Sequence, residues 1–360
     1  MRIVYSVVAC KTLATEYRLE RTGRMQEQIR VGIIGVGGIA GRHIKDMIAL
    51  PEAAIVGLAD VNPDQIAAAK KKFPQIKDVP QFADYRDMIA KTSTHAVSIN
   101  TPHTLHFEQA MECLDAGQHI LMEKPMVCSV VHARRLIEKS EEKELVLMIA
   151  YQRHFMPQFR YIKKTIEAGD LGEITFLSAL QGQRWLKGTV GTWRQDPVLS
   201  GGGQLNDSGS HLLDVLLWST DLSVKSVAAY IDNCGCQVDI NSALAIEFEN
   251  GAKGTIAVVG DSPSQFYEDL TIWGTKGAIF YRQGKIAQTD EHGQLMEPTN
   301  LPEASNPATG FINAILGRDK NWVPGICGLR VIELTEAAWE SARIGAPCSV
   351  IRTWDADSRS

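Results

Sequence analysis

The sequence predicts two domains: an α/β unit whose parallel sheet is covered by helices, then an α+β unit with a large, mainly antiparallel open sheet. Three observations carry this reading. Strand and helix signals alternate from Ile29 to Ala150, long β-like stretches dominate later, and 360 residues fit two cores better than one. The expected domains are 25–150 and 151–352, with an extension at 1–24 and a tail at 353–360.

In the first unit, runs at Ile29–Gly35, Ala54–Ala59, Ala96–Ile99, His119–Met122 and Leu145–Ile149 read as buried strands. Helical patterns lie between them at Ile39–Ala49, Pro63–Lys72, Leu105–Ala116 and Val130–Glu142. In the second unit a helix over 158–168 and a strand over 173–179 lead into a loop rich in Gly, Trp and Arg. A helix is expected over Gly203–Ser219, then strands over 224–231, 243–248, 254–259, 268–273 and 278–283. Asn250-Gly251 is a hairpin turn, because both residues tolerate positive φ. Helices over 311–316 and 328–344 close the chain.

Composition narrows the function. Hydrophobic residues at 44% and charged residues at 22% describe a globular protein. A net charge of −5, without a lysine or arginine cluster, argues against a nucleic-acid partner. No apolar run has the length of a membrane span. The seven cysteines are scattered; Cys234 and Cys236 are close but lack a second pair, so no metal site is expected, and reduced thiols fit a cytoplasmic protein. Met1–Cys10 loosely resembles a lipoprotein processing segment. The preferred reading takes Met25 as the natural start, because the first strand opens just after it.

The first strand runs into Gly35-Val36-Gly37-Gly38-Ile39-Ala40, a G-x-G-x-x-A turn opening a helix. Gly35 permits the tight turn, Gly37 lets the backbone approach a pyrophosphate, and the helix N-terminus faces the phosphates. Asp60 closes the next strand about twenty residues after Ala40, where a carboxylate takes ribose hydroxyls. This predicts a Rossmann domain. Asp60 would repel a 2′-phosphate and no arginine follows it, so NAD is expected ahead of NADP. Two later strands end in Asn100-Thr101-Pro102, with His106 beyond, and in Glu123-Lys124-Pro125. Ligands bind at such carboxyl ends, so Gly35, Gly37, Gly38, Ile39, Asp60, Asn100, Thr101, Pro102, His106, Glu123 and Lys124 form the expected cofactor side. Downstream, Ser200-Gly201-Gly202-Gly203 leads to Asp207, His211 and Asp214, which would share one face of the expected helix.

These motifs together resemble the glucose–fructose oxidoreductase and inositol dehydrogenase family (Gfo/Idh/MocA) from Ile29 to about Val350. The resemblance implies a Rossmann domain followed by an open sheet carrying the substrate side and often a subunit interface. It places Lys124, Asp207 and His211 on the family's catalytic positions. Chemistry agrees with the placement. Oxidising a carbinol requires removal of the hydroxyl proton, and a histidine near its ordinary pKa suits that at neutral pH. His211 is the expected base, with Asp207 holding substrate hydroxyl and imidazole, and Lys124 stabilising oxyanion charge or sharing the base role. Tyr151, Arg153, Trp185, Trp193 and Arg194 are candidate sugar contacts, and either arginine could instead reach the cofactor. The expected function is NAD-dependent oxidation of a secondary hydroxyl of a sugar, inositol or related polyol by a homodimer or homotetramer. The family also contains NAD-dependent glycosidases that use transient oxidation and elimination, and regulators that only sense the dinucleotide. Regulators can dispense with the lysine and the acid–histidine pair, all of which this chain keeps.

Overall fold

The computed structural model describes residues 28–352 and Trp354. Expectations about residues 1–24 lie outside the described residues. The first unit runs β1 (Ile29–Ile34), α1 (Ala40–Ile48), β2 (Ala53–Ala59), α2 (Pro63–Lys72), β3 (Gln81–Phe82), α3 (Tyr85–Lys91), β4 (Ala96–Ile99), α4 (His106–Asp115), β5 (His119–Met122), α5 (Val130–Glu142) and β6 (Leu147–Ile149). All its strand pairs are parallel, in the order β3-β2-β1-β4-β5-β6. Order reverses between β1 and β4, so their carboxyl ends open a crevice there. The β4 strand is buried along its whole length, as a strand covered on both faces must be. Local chemistry sets the helix starts. Asn62 caps α2 by accepting from Asp64 N ahead of Pro63, and Ser129 caps α5 by accepting from His132 N.

The second unit adds α6 (Pro157–Glu167), β7 (Ile174–Gly182), α7 (Trp185–Gly188), α8 (Pro197–Ser200) and α9 (Gly209–Thr220). Strands β8 (Val224–Asp232), β9 (Asn241–Phe248), β10 (Lys253–Val259), β11 (Tyr267–Gly274), β12 (Ala278–Arg282), β13 (Lys285–Thr289) and β14 (Leu295–Met296) follow. The chain ends with α10 (Pro307–Ile315), α11 (Gly325–Ile344) and β15 (Cys348–Ser349). The nine-stranded sheet has the order β14-β13-β12-β11-β7-β10-β9-β8-β15. It is antiparallel except where β7 lies parallel to β10. Side chains alternate across it. Leu177, Ala179 and Gln181 of β7 are buried beneath the helices, while Phe176 and Leu180 stand on the outer face. The segment before α11 returns to the first unit, where Ile149 N donates to Val323 O at 2.9 Å.

Helix starts differ from the sequence reading: α10 begins at Pro307 where 311 was expected, α11 at Gly325 where 328 was expected, and the largest change is at α9. The expected helix over 203–219 begins only at Gly209. Asp239 accepts from Gly203 N (2.8 Å) and Leu205 N (2.7 Å), bending 203–208 into turns. A Cβ on Gly203 would lie 1.9 Å from the Asp239 carbonyl oxygen, so only glycine allows this approach.

Candidate active site

The glycine turn leaves β1 with Gly35 at φ +77°, where a Cβ would lie 2.9 Å from the Asn100 backbone. The turn therefore packs directly on the end of β4. Cβ atoms at Gly37 and Gly38 would meet nothing within 4 Å, so the backbone N–H groups there face an open cradle. Asp60 closes it: Oδ2 accepts from Val36 N at 2.7 Å and Oδ1 from Asn62 N at 2.8 Å. Gly35, Gly37, Gly38, Ile39, Asp60, Asn100, Thr101 and Pro102 all line one cleft of about 660 Å³. Trp193, Arg194 and Leu199 of the second unit line it too. An open glycine cradle beside a fixed carboxylate fits the pyrophosphate and ribose of a dinucleotide.

Next to this cleft, Lys124 and Asp207 meet. Lys124 Nζ donates to Asp207 Oδ1 at 2.7 Å and to the Asp207 carbonyl at 3.1 Å. Asp207 Oδ2 accepts from Trp185 Nε1 (2.8 Å) and Arg194 Nε (3.0 Å), and His103 Nε2 is 3.6 Å from Oδ1. Burial raises the Asp207 carboxyl, yet the charges of Lys124 and Arg194 outweigh it and hold the group well below the usual carboxylate range. His211 lies in the first turn of α9, its ring edge-to-face with Tyr151 at 5.8 Å between centroids. Its Nδ1 is buried without a hydrogen-bond partner. Burial, then the charges of Lys124 and Arg153, push the imidazole well below its ordinary pKa. The expected near-ordinary value is thus corrected: this ring is neutral because its surroundings are buried and cationic.

Several expectations change in the folded chain. Asp207, His211 and Asp214 do not share a helix face, because Asp207 precedes α9 and its oxygens are taken by Lys124, Trp185 and Arg194, leaving none on the imidazole. Asp214 is buried against His154 Nε2 at 2.9 Å. Arg153 is no sugar contact: it is buried, ion-paired to Glu268 and set over the Phe159 ring. Tyr151 is fully buried. Trp185 is buried too and positions Asp207 in place of forming a platform. On the cofactor side, Glu123 turns away to His43 Nε2 at 2.7 Å. His106 is fully buried, its two nitrogens facing the carbonyls of Pro125 (2.9 Å) and Thr101 (3.0 Å), so it ties the ends of β4 and β5 together. Trp193 and Arg194 do reach the cleft, with the guanidinium 4.4 Å above the indole. His103 escaped the sequence reading, although its place directly after Asn100-Thr101-Pro102 was a signal. The described cysteines are free thiols, and no described helix is long and apolar enough to cross a membrane.

A parallel sheet with a glycine cradle, joined to an open sheet across a lysine–carboxylate pair, defines a nicotinamide-dependent oxidoreductase. Comparison with known proteins agrees. The oxidoreductase family with NAD-binding Rossmann fold, Gfo/Idh/MocA, matches residues 29–151, and that family's C-terminal domain matches residues 159–280. The chain belongs to the Gfo/Idh/MocA family, and it is an NAD(P)-dependent dehydrogenase. Among its relatives, the D-xylose 1-dehydrogenase (NADP(+)) of Hypocrea jecorina is 30% identical over 316 residues, 78% of this chain and 80% of that protein. The myo-inositol 2-dehydrogenase of Thermotoga maritima is 24% identical over 274 residues, 74% of this chain and 79% of that one. The WlbA dehydrogenase of Bordetella pertussis, solved with NADH and UDP-GlcNAcA, shares the fold at TM-score 0.79 and 24% identity, covering 91% of this chain and 99% of that chain.

Proposed function

We propose that this dehydrogenase oxidises a secondary hydroxyl of a sugar, inositol or related polyol, with NAD as the acceptor. The observation that carries the reading is the Lys124–Asp207 pair beside the neutral His211, all next to the dinucleotide cleft. The sugar and inositol dehydrogenases among its relatives support the substrate class. When bound, nicotinamide takes up the hydride that leaves the carbinol carbon.

The chain's own residues manage the proton and the charge. His211 is unprotonated at neutral pH and can accept the hydroxyl proton; with Nδ1 buried, Nε2 is the nitrogen available to it. Lys124 spends two N–H bonds on Asp207, leaving a third to stabilise negative charge on the reacting oxygen. Asp207 stays ionised and, held by Trp185 and Arg194, keeps the ammonium in place. Asp60 receives the adenosine ribose hydroxyls in this reading, which favours NAD. We also read the outer face of the open sheet as a contact between copies of this chain. Phe176 and Trp273, with ring centroids 5.8 Å apart, and Leu180 are exposed there, and pairing two such faces would cover them.

The test is a screen of sugars, inositols and glycosides with NAD and NADP, followed by absorbance of the reduced nicotinamide. Net reduction by a free sugar or polyol is expected. Glycoside cleavage without net reduction would replace this reading with the glycosidase one.

A further inference from the structure

We propose that His103 is a positioning residue that latches a strap of the second domain over the dinucleotide cleft. The inference rests on the reading of that cleft as a dinucleotide site. The strap is the segment 193–200, whose Trp193, Arg194 and Leu199 line the cleft together with Gly35, Gly37 and Asp60. Its outer side is open to solvent, with Val198 76% exposed. A ligand enclosed by both domains therefore enters and leaves as the strap lifts.

The hold on the strap comes from the turn His103–Leu105 at the end of β4. His103 Nδ1 is 3.1 Å from the Ser200 carbonyl oxygen, and its ring meets Trp193 edge-to-face with centroids 4.6 Å apart. Thr104 Oγ1 donates to the carbonyls of Val198 (2.9 Å) and Leu199 (3.1 Å). The Cys128 thiol also reaches the Ser200 carbonyl, at 3.5 Å. A carbonyl can only accept, so His103 Nδ1 carries the proton of this bond. Nε2 is then unprotonated and lies 3.6 Å from Asp207 Oδ1, beyond hydrogen-bond reach. The ring stays neutral: burial, with Lys124 and His106 adding to it and Asp207 opposing, pushes it down to about 3. Its Nδ1–H is thus present throughout the neutral range, and the latch does not loosen with ordinary changes of pH.

The two nitrogens can be replaced separately. The side-chain amide of Asn reaches the Nδ1 position and can still donate to Ser200, whereas that of Gln reaches the Nε2 position and cannot. Release of NADH is followed by stopped-flow fluorescence on displacement with excess NAD. His103→Ala and His103→Gln are expected to speed release roughly tenfold, the worth of one hydrogen bond with one aromatic edge contact. Thr104→Val should also speed it, and His103→Asn, which keeps the hydrogen bond and loses only the ring contact, should release NADH more slowly than His103→Gln. A wild-type protein that binds neither NADH nor NADPH overturns the dinucleotide reading, and the latch with it. A normal wild-type signal with release from His103→Ala, His103→Gln and Thr104→Val no faster than from wild type overturns the latch alone.

Discussion

Replacing Asp207 with asparagine separates the electrostatic account of this site from a purely steric one. The carboxylate is buried and accepts from Lys124 at 2.7 Å, Trp185 at 2.8 Å and Arg194 at 3.0 Å. Asparagine keeps the shape but offers one acceptor oxygen, and its NH2 must point at a donor. At least one partner is left unsatisfied, and Lys124 loses its counter-charge. Breaking a buried pair from one side costs about 3–5 kcal/mol, and Arg194, being half-exposed, draws the figure toward the lower end. The assay is urea denaturation of Asp207→Asn against wild type from pH 8 to pH 3. The folded carboxyl lies below its unfolded value of about 3.9, so its stabilisation is complete above that value. It is lost as pH falls toward the folded value. The gap between the two proteins should be level from pH 8 to 5 and narrow below about pH 4. Turnover should also fall by about 10²–10³-fold, because Lys124 is no longer held. A gap below about 1 kcal/mol at pH 7, or one that widens on acidification, would refute the reasoning.

Four further outcomes are expected. Because burial and Lys124 hold His211 below the ordinary imidazole range, kcat/KM should stay level as pH falls through about 6.5, and an acid limb centred there would contradict the assignment. His211→Ala should cut kcat by about 10²–10⁴-fold with NADH binding unchanged in fluorescence titration. Asp60→Ala should narrow the preference for NAD over NADP by about tenfold in paired kinetics, and a wild-type enzyme preferring NADP would sink the ribose role. Trp273→Lys should shift the mass seen by light scattering toward one chain, and a wild type already monomeric at micromolar concentration would end the sheet-pairing idea.

Much of the first domain was legible locally. The helices at 63–72 and 130–142 begin and end where the sequence placed them, since capping residues and apolar spacing act within a few positions. The two-residue strand β3 and helix α3 were not, because so short a strand carries no alternation to read. In the second domain β7 to β12 were found, but β13, β14 and β15 were not, and the start of α9 was misplaced. That start depends on Asp239, which accepts from Gly203 across 36 positions of chain.

The sequence by itself determined the glycine turn, Asp60 at the end of β2 and the strand ends that line the cleft, because each depends on residues adjacent in the chain. Only the tertiary structure decided how the polar side chains pair. Lys124 and Asp207 are 83 positions apart, and Arg153 and Glu268 are 115 apart. Nothing local says which arginine faces a ligand and which is neutralised in the core. The physical reason is that a buried charge needs a partner, and folding supplies it from whichever strand or turn packs opposite. The same packing left His211 neutral and put His103 between two domains, which neither histidine's neighbours in sequence express.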